Sequence, residues 1–213
     1  MRRITKRDNF EPNSLKAWKR GNRGKLYSDL KNGGAVVRQD IRNEALREQF
    51  YLCGYCCKSI SGNNDCHNEH VEAQATNPNR TLDFDNLIVS CNTPRQCGLA
   101  HKSKVLPLTP LMPECESELK FKLSGQVVGL TERATDAIQI LNLGDQLANN
   151  RALIEQRKQL VHVLLMANGV DAEDGLEDDD LLEMVVDDIS TPQNGKLEAF
   201  APVVVNILKQ WLG

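Results

Sequence analysis

The chain has 213 residues with 40% hydrophobic content, enough for one large domain or two small ones with a globular core. Its net charge of −3 argues against a protein that binds nucleic acid over its whole surface. No stretch is long and apolar enough to span a membrane, and no apolar run follows Arg2 and Arg3, as an export signal would require. We therefore expect a cytoplasmic protein that does not associate with membranes.

Charge is segregated along the chain, which divides it into three regions. Residues 1–50 carry 13 Lys/Arg against 6 Asp/Glu, a net charge of +7. Residues 51–105 are neutral, and residues 106–213 carry a net charge of −10. The basic region could hold phosphates, or its charges could simply lie on solvated helix faces. We expect a basic N-terminal arm and helix (1–50), a central core (51–105), and a hairpin plus acidic helical domain (106–213).

Two helices are predicted in the basic region. Residues 14–20 form a short helix with Ser14 as its N-cap and with Leu15 and Trp18 on one face. Residues 37–50 form a second helix, in which apolar residues recur at helical spacing and three arginines lie off that stripe. The apolar residues are Val37, Ile41, Ala45, Leu46 and Phe50, and the arginines, which could face solvent or phosphate, are Arg38, Arg42 and Arg47.

Six of the seven cysteines lie between Cys53 and Cys97. Because disulfides are disfavoured in the cytoplasm, such crowding favours a metal site. Cys53 and Cys56 have the spacing of a zinc knuckle, and Cys91 with Cys97 forms a second, wider pair. Four thiolates leave no open position, so we predict a structural Zn²⁺. The remaining thiols are expected to pack in the core, although Cys66 could replace a ligand; they are Cys57, Cys66 and Cys115.

Polar residues lie between the two cysteine pairs. Residues 69–75 read as a short strand because Val71, Ala73 and Ala75 alternate with polar residues, and this strand carries His70. A polar loop follows, and Asn86 opens a second strand over residues 87–89. Residues 98–104 can begin a helix that carries His101.

The C-terminal region is predicted to contain an extended connector, a β-hairpin and several helices. Three prolines keep residues 105–113 extended, and apolar alternation predicts a hairpin over residues 119–128. Helices are predicted from residue 131, over residues 150–168, from residue 181 to 189, and from residue 197 onward, with an acidic solvated loop at 171–180. These apolar stripes indicate a helical core, and we expect no catalytic residues there.

The central stretch resembles the HNH endonucleases, whose fold is a ββα-metal hairpin. The family's first His falls on His70, its Asn on Asn86 and its last His on His101, while Glu69 precedes the first His and the cysteines match the zinc-bound subset. This resemblance implies an α+β fold with a ββα-metal core and a catalytic Mg²⁺ or Mn²⁺ held by Glu69 and His101. It also implies that His70 is the general base, because imidazole titrates near neutral pH. Asn86 would hold the loop or join the metal shell.

The resemblance narrows to the PtuB-like HNH proteins of Septu and retron-linked anti-phage systems. It is carried by the opening MRRITK, by the run ILNL at residues 140–143 and by Arg151. It implies an ABC- or SMC-like (PtuA-like) ATPase partner and, in retron-linked systems, a retron RNA–DNA complex. The expected substrate is DNA. Two alternatives stay open: an effector that cleaves RNA such as tRNA, and a non-catalytic zinc module that binds nucleic acid or a partner.

Overall fold

The computed structural model describes residues 1–171 and 178–212 and has an α+β architecture. Within these ranges no helix is both long enough and apolar enough to cross a membrane. Most of the predicted acidic loop, residues 172–177, lies outside the described residues. The helices are α1 (Asn13–Gly21), α2 (Ala35–Glu48), α3 (Gly98–His101), α4 (Glu132–Leu141), α5 (Leu147–Ala167), α6 (Asp179–Ser190) and α7 (Ala201–Leu208). The strands are β1 (Cys66–His70), β2 (Leu87–Cys91), β3 (Leu119–Phe121) and β4 (Val127–Gly129).

The strands form two separate antiparallel pairs, β1 with β2 and β3 with β4. In the first pair Glu69 lies opposite Ile88 and His70 opposite Leu87. The predicted bounds of the first strand were wrong, because it ends at His70 rather than beginning near it. The chain turns away soon afterwards, where the carbonyl of Ala73 accepts hydrogen bonds from the backbone N–H groups of Thr76 and Asn77. The second strand and the hairpin of β3 and β4 lie where the sequence predicts them.

The two N-terminal helices are present, but one predicted cap is wrong. Helix α1 follows Pro12, and the Ser14 hydroxyl is buried without a hydrogen-bond partner instead of capping the helix. Pro12 stands at the N-cap position with φ −53° and ψ 136°, and its side chain has no oxygen that could accept a hydrogen bond from the first turn of α1. Leu15, on the inner face of α1, is fully buried.

Helix α2 packs its predicted apolar stripe inward and ends at Glu48, two residues earlier than expected. Phe50 lies beyond the helix with a positive φ. The expectation that Arg42 faces solvent or phosphate is wrong in part, since its guanidinium donates to Asn68 Oδ1 at 3.3 Å and to the carbonyl of Asn63 at 3.0 Å. Arg42 therefore ties α2 to β1.

Backbone hydrogen bonds cross both predicted domain boundaries. The N–H of Ile4 donates to Pro110 O, that of Phe200 to Cys57 O, and that of Cys97 to Leu141 O, at 2.7, 2.9 and 2.8 Å. The buried apolar side chains of all three regions form a continuous cluster. The C-terminal helices thus pack directly against the loops that carry the cysteines.

Candidate metal centres and the β1–β2–α3 site

Four cysteines come together at the end of the first hairpin. One sulfur atom from each of Cys53, Cys56, Cys91 and Cys97 lies within 4.8 Å of all the others, and all four residues are buried. Four sulfurs at about 2.3 Å from one Zn²⁺ would lie about 3.8 Å apart, so this spacing suits a tetrahedral thiolate site. The cluster could hold a metal ion such as zinc, as the sequence predicts.

Polar groups surround the sulfurs. The N–H of Cys91 lies 3.3 Å from Cys53 Sγ, and the Gln96 amide nitrogen lies 3.9 and 3.7 Å from the sulfurs of Cys91 and Cys97. Gln96 is itself fixed by Asn150, whose amide donates to Gln96 Oε1 at 2.9 Å from a non-helical kink inside α5. Donors aimed at thiolates orient and stabilise metal ligands.

The thiols compete for ionisation. Hydrogen bonds from the neighbouring thiols lower the pKa of Cys91, whereas burial and those same neighbours raise the pKa of Cys97 well above its ordinary value. A buried cluster of this kind cannot carry four negative charges unless a cation neutralises them.

The other three cysteines are buried outside this cluster. Burial raises the pKa of Cys66 to about 11 and that of Cys115 to about 12, and it also raises the pKa of Cys57. Thiols of this kind remain protonated at neutral pH and are poor nucleophiles. Their surroundings suit packing residues.

Glu69 and His101 meet between β1 and α3. His101 Nδ1 lies 2.8 Å from Glu69 Oε1, its Nε2 lies 2.6 Å from the carbonyl oxygen of Lys104, and the ring is fully buried. The Tyr55 hydroxyl also reaches Glu69 Oε1 at 3.3 Å. Burial alone would raise the pKa of Glu69, but hydrogen bonds to His101 and then His67 outweigh it and lower that pKa. The carboxylate is therefore ionised and available to a cation.

His67 joins this pair, although the sequence analysis left it out. Its Nε2 lies 3.4 Å from Glu69 Oε2, and its Nδ1 lies 2.8 Å from Asn92 Oδ1. Burial lowers the pKa of His67, but hydrogen bonds to Glu69 and Asn92 raise it more, so the net shift is upward. The spacing of His67 and Glu69 could have indicated this contact, because residues two apart on a strand share a face. The predicted strand began at residue 69, however, and so left His67 outside it.

His70 points to the other face of β1. Its Nε2 lies 2.9 Å from the carbonyl oxygen of Thr81, and its ring meets the Tyr27 ring edge-on at 4.7 Å. Burial lowers the pKa of His70, while its bond to Thr81 raises it less. These contacts have no partner in common with the hydrogen bonds of Glu69 and His101. Of the predicted site residues, the structure thus joins Glu69 with His101 and holds His70 separately against the loop.

Asn86 braces the loop between the two strands. Its Oδ1 accepts the N–H of Glu72 at 2.8 Å, and its Nδ2 donates to the carbonyls of Glu72 and Arg80 at 3.1 and 3.2 Å. Its backbone carbonyl also accepts the N–H of Val71. Asn86 therefore holds the loop whose Thr81 carbonyl contacts His70.

Part of the basic arm is neutralised within the protein. Lys6 Nζ lies 2.7 Å from Glu48 Oε2 and donates to the carbonyl of Leu87, and Arg7 pairs with Glu44 and Glu48. These residues attach the arm to α2 and β2. They are held by carboxylates and do not form an open phosphate-binding surface.

No protein-family model matches the chain, and no curated protein matches it.

Proposed function

We propose that this protein is a metal-dependent endonuclease of the HNH type that hydrolyses phosphodiester bonds in nucleic acid, with DNA as the favoured substrate. The observation that carries the proposal is the contact of Glu69 with His101. It joins the first strand of an antiparallel hairpin to the short helix that follows the hairpin, beside a cysteine cluster suited to zinc. Hairpin, helix, and a carboxylate–imidazole pair between them are the elements of a ββα-metal site.

His70 suits the role of general base. Because the Thr81 oxygen can only accept, Nε2 donates its hydrogen there and Nδ1 keeps the lone pair that can take a proton from water. A divalent cation bound by Glu69 and His101 would supply positive charge to the phosphate and to the leaving oxygen. Asn86 positions His70 indirectly, through the loop that carries Thr81.

Arg38, whose charge acts on the Tyr27 hydroxyl, supports a nucleic acid substrate. Asn68 donates to the Tyr27 hydroxyl and to the carbonyl of Arg38, at 2.9 and 2.8 Å, on the side of β1 where the Tyr27 ring meets His70. The Arg38 Nε is buried with no hydrogen-bond partner. A phosphate oxygen would satisfy this donor if the guanidinium turned towards a bound nucleic acid.

The test compares two histidine variants on plasmid DNA and on total RNA, with Mg²⁺ or Mn²⁺ and with EDTA. His70→Ala should abolish cleavage while zinc content and the thermal unfolding temperature stay near those of the wild type. His162→Ala, on helix α5, serves as the matched control and should cut normally. Cleavage by His70→Ala would refute the assigned base. A zinc-loaded wild type that binds nucleic acid but cuts neither polymer would favour the non-catalytic zinc module.

The resemblance to PtuB-like proteins extends the proposal to an anti-phage effector with an ABC- or SMC-like ATPase partner. This part is supported by the sequence alone. Co-expression with ATPases encoded beside the gene, followed by co-purification and phage plating, tests it. Protection that needs both proteins and is lost in His70→Ala is the expected result.

A further inference from the structure

His67, Glu69 and His101 form a cluster in which one carboxylate lies between two imidazoles. Glu69 Oε1 faces His101 Nδ1 at 2.8 Å, and Glu69 Oε2 faces His67 Nε2 at 3.4 Å. His67 and Glu69 come from β1, and His101 comes from α3. His67 keeps 26% of its side-chain surface exposed, whereas His101 has none, so the cluster is open to solvent on the His67 side.

The outer nitrogen of each ring faces an oxygen that can only accept a hydrogen bond. His101 Nε2 faces the carbonyl of Lys104 at 2.6 Å, and His67 Nδ1 faces the side-chain oxygen of Asn92 at 2.8 Å. The inner nitrogens contact the Glu69 carboxylate, and His101 Nδ1 is within hydrogen-bond distance of it. A cation between the three groups would take the place of the inner hydrogens, while each outer nitrogen donates its own hydrogen to Lys104 or Asn92. An imidazole held from behind by a carbonyl oxygen is the usual support of a metal-ligating histidine.

Gly98 leaves the space that this arrangement needs. A Cβ at position 98 would lie 2.6 Å from both Glu69 Oε2 and His67 Nε2, closer than any real Cβ contact. The N–H of Gly98 is fixed by Ser90 Oγ at 3.0 Å, so the backbone cannot easily withdraw. Any larger residue at this position would push His67 and Glu69 apart.

We infer that His67 is a third ligand that, with Glu69 and His101, binds one divalent transition-metal ion. The inference rests on the proposed function in one respect, namely that Glu69 and His101 bind the catalytic metal ion. Two imidazoles and one carboxylate favour Mn²⁺ and later metals over Mg²⁺, which prefers oxygen ligands. Among the described residues only the four cysteines have their ligand atoms mutually within 4.8 Å, so His67 and His101 would have to move closer to each other to bind one ion.

The test measures Mn²⁺ binding to zinc-replete protein by electron paramagnetic resonance and calorimetry. The wild type should bind one Mn²⁺ in addition to its structural zinc. His67→Ala and Gly98→Ala should each weaken Mn²⁺ binding at least tenfold while zinc content is unchanged. His162→Ala, the matched control, should bind Mn²⁺ like the wild type.

The outcomes separate this inference from the proposed function. Unchanged Mn²⁺ affinity in His67→Ala, or absence of Mn²⁺ binding in the wild type, overturns the three-ligand site even if the protein cleaves nucleic acid. Weakened Mn²⁺ binding in both variants supports the site even if the wild type cleaves no nucleic acid, a result that would refute the nuclease and leave the metal site standing.

Discussion

Replacing Asn86 with alanine should both destabilise the protein and disturb the site. The side chain is 1% exposed and makes three hydrogen bonds, to the N–H of Glu72 and to the carbonyls of Glu72 and Arg80. A typical hydrogen bond contributes about 1 kcal/mol net, so losing three should lower the free energy of unfolding by about 3 kcal/mol. Cleavage should fall as well, because the Thr81 carbonyl that orients His70 lies in the released loop.

Urea unfolding measures this effect, provided that the free zinc concentration is fixed, since a ligand of the folded state shifts the apparent stability. Asn13→Ala, at an exposed position in the first turn of α1, is the matched control and should change stability by less than about 0.5 kcal/mol. If Asn86→Ala is no less stable than Asn13→Ala, the loop is not held by Asn86, and its proposed positioning role fails.

Three further results are expected. Glu48→Gln should lower the free energy of unfolding by about 3 kcal/mol because it leaves the Lys6 charge without a carboxylate, in a pair whose Glu48 and Lys6 side chains are 3% and 12% exposed. Glu44→Gln breaks a more exposed contact with Arg7 and should cost less than about 1 kcal/mol by the same urea assay. Cys91→Ser should lower zinc content and the thermal unfolding temperature, measured by zinc analysis and calorimetry. In the pH–rate profile of kcat/KM, the acid limb should lie below pH 6.5, because burial lowers the pKa of His70 from that value and the neutral base persists to lower pH.

Each of these results has a contrary outcome. Equal costs for Glu48→Gln and Glu44→Gln would mean that burial of the Lys6 pair adds nothing. Cys115→Ala should keep its zinc, and equal zinc loss in this variant and Cys91→Ser would point to general unfolding rather than a lost ligand. An acid limb above pH 6.5 would assign the titrating base to a group other than His70.

The helices were predictable because their apolar stripes coincide with burial. In α5, for example, Leu153, Val161 and Leu165 are buried as their spacing predicts. Strand β1 was misplaced because its sequence, CHNEH, is polar and shows no apolar alternation. Its side chains are instead satisfied by partners far along the chain, such as Arg42 for Asn68 and His101 for Glu69. Such pairings depend on tertiary structure, which periodicity does not encode.

A chain of contacts from Asn150 through Gln96 to the cysteine sulfurs connects helix α5 to the cysteine cluster. Asn150 departs from helical geometry inside α5 while its amide holds Gln96, and Gln96 holds Cys91 and Cys97. A metal ion bound by these sulfurs would change the contacts of Gln96 and, through Asn150, one anchor of the kink. A fluorophore attached near the start of α5, at the 48% exposed Leu147, would then report zinc loading from the protein surface.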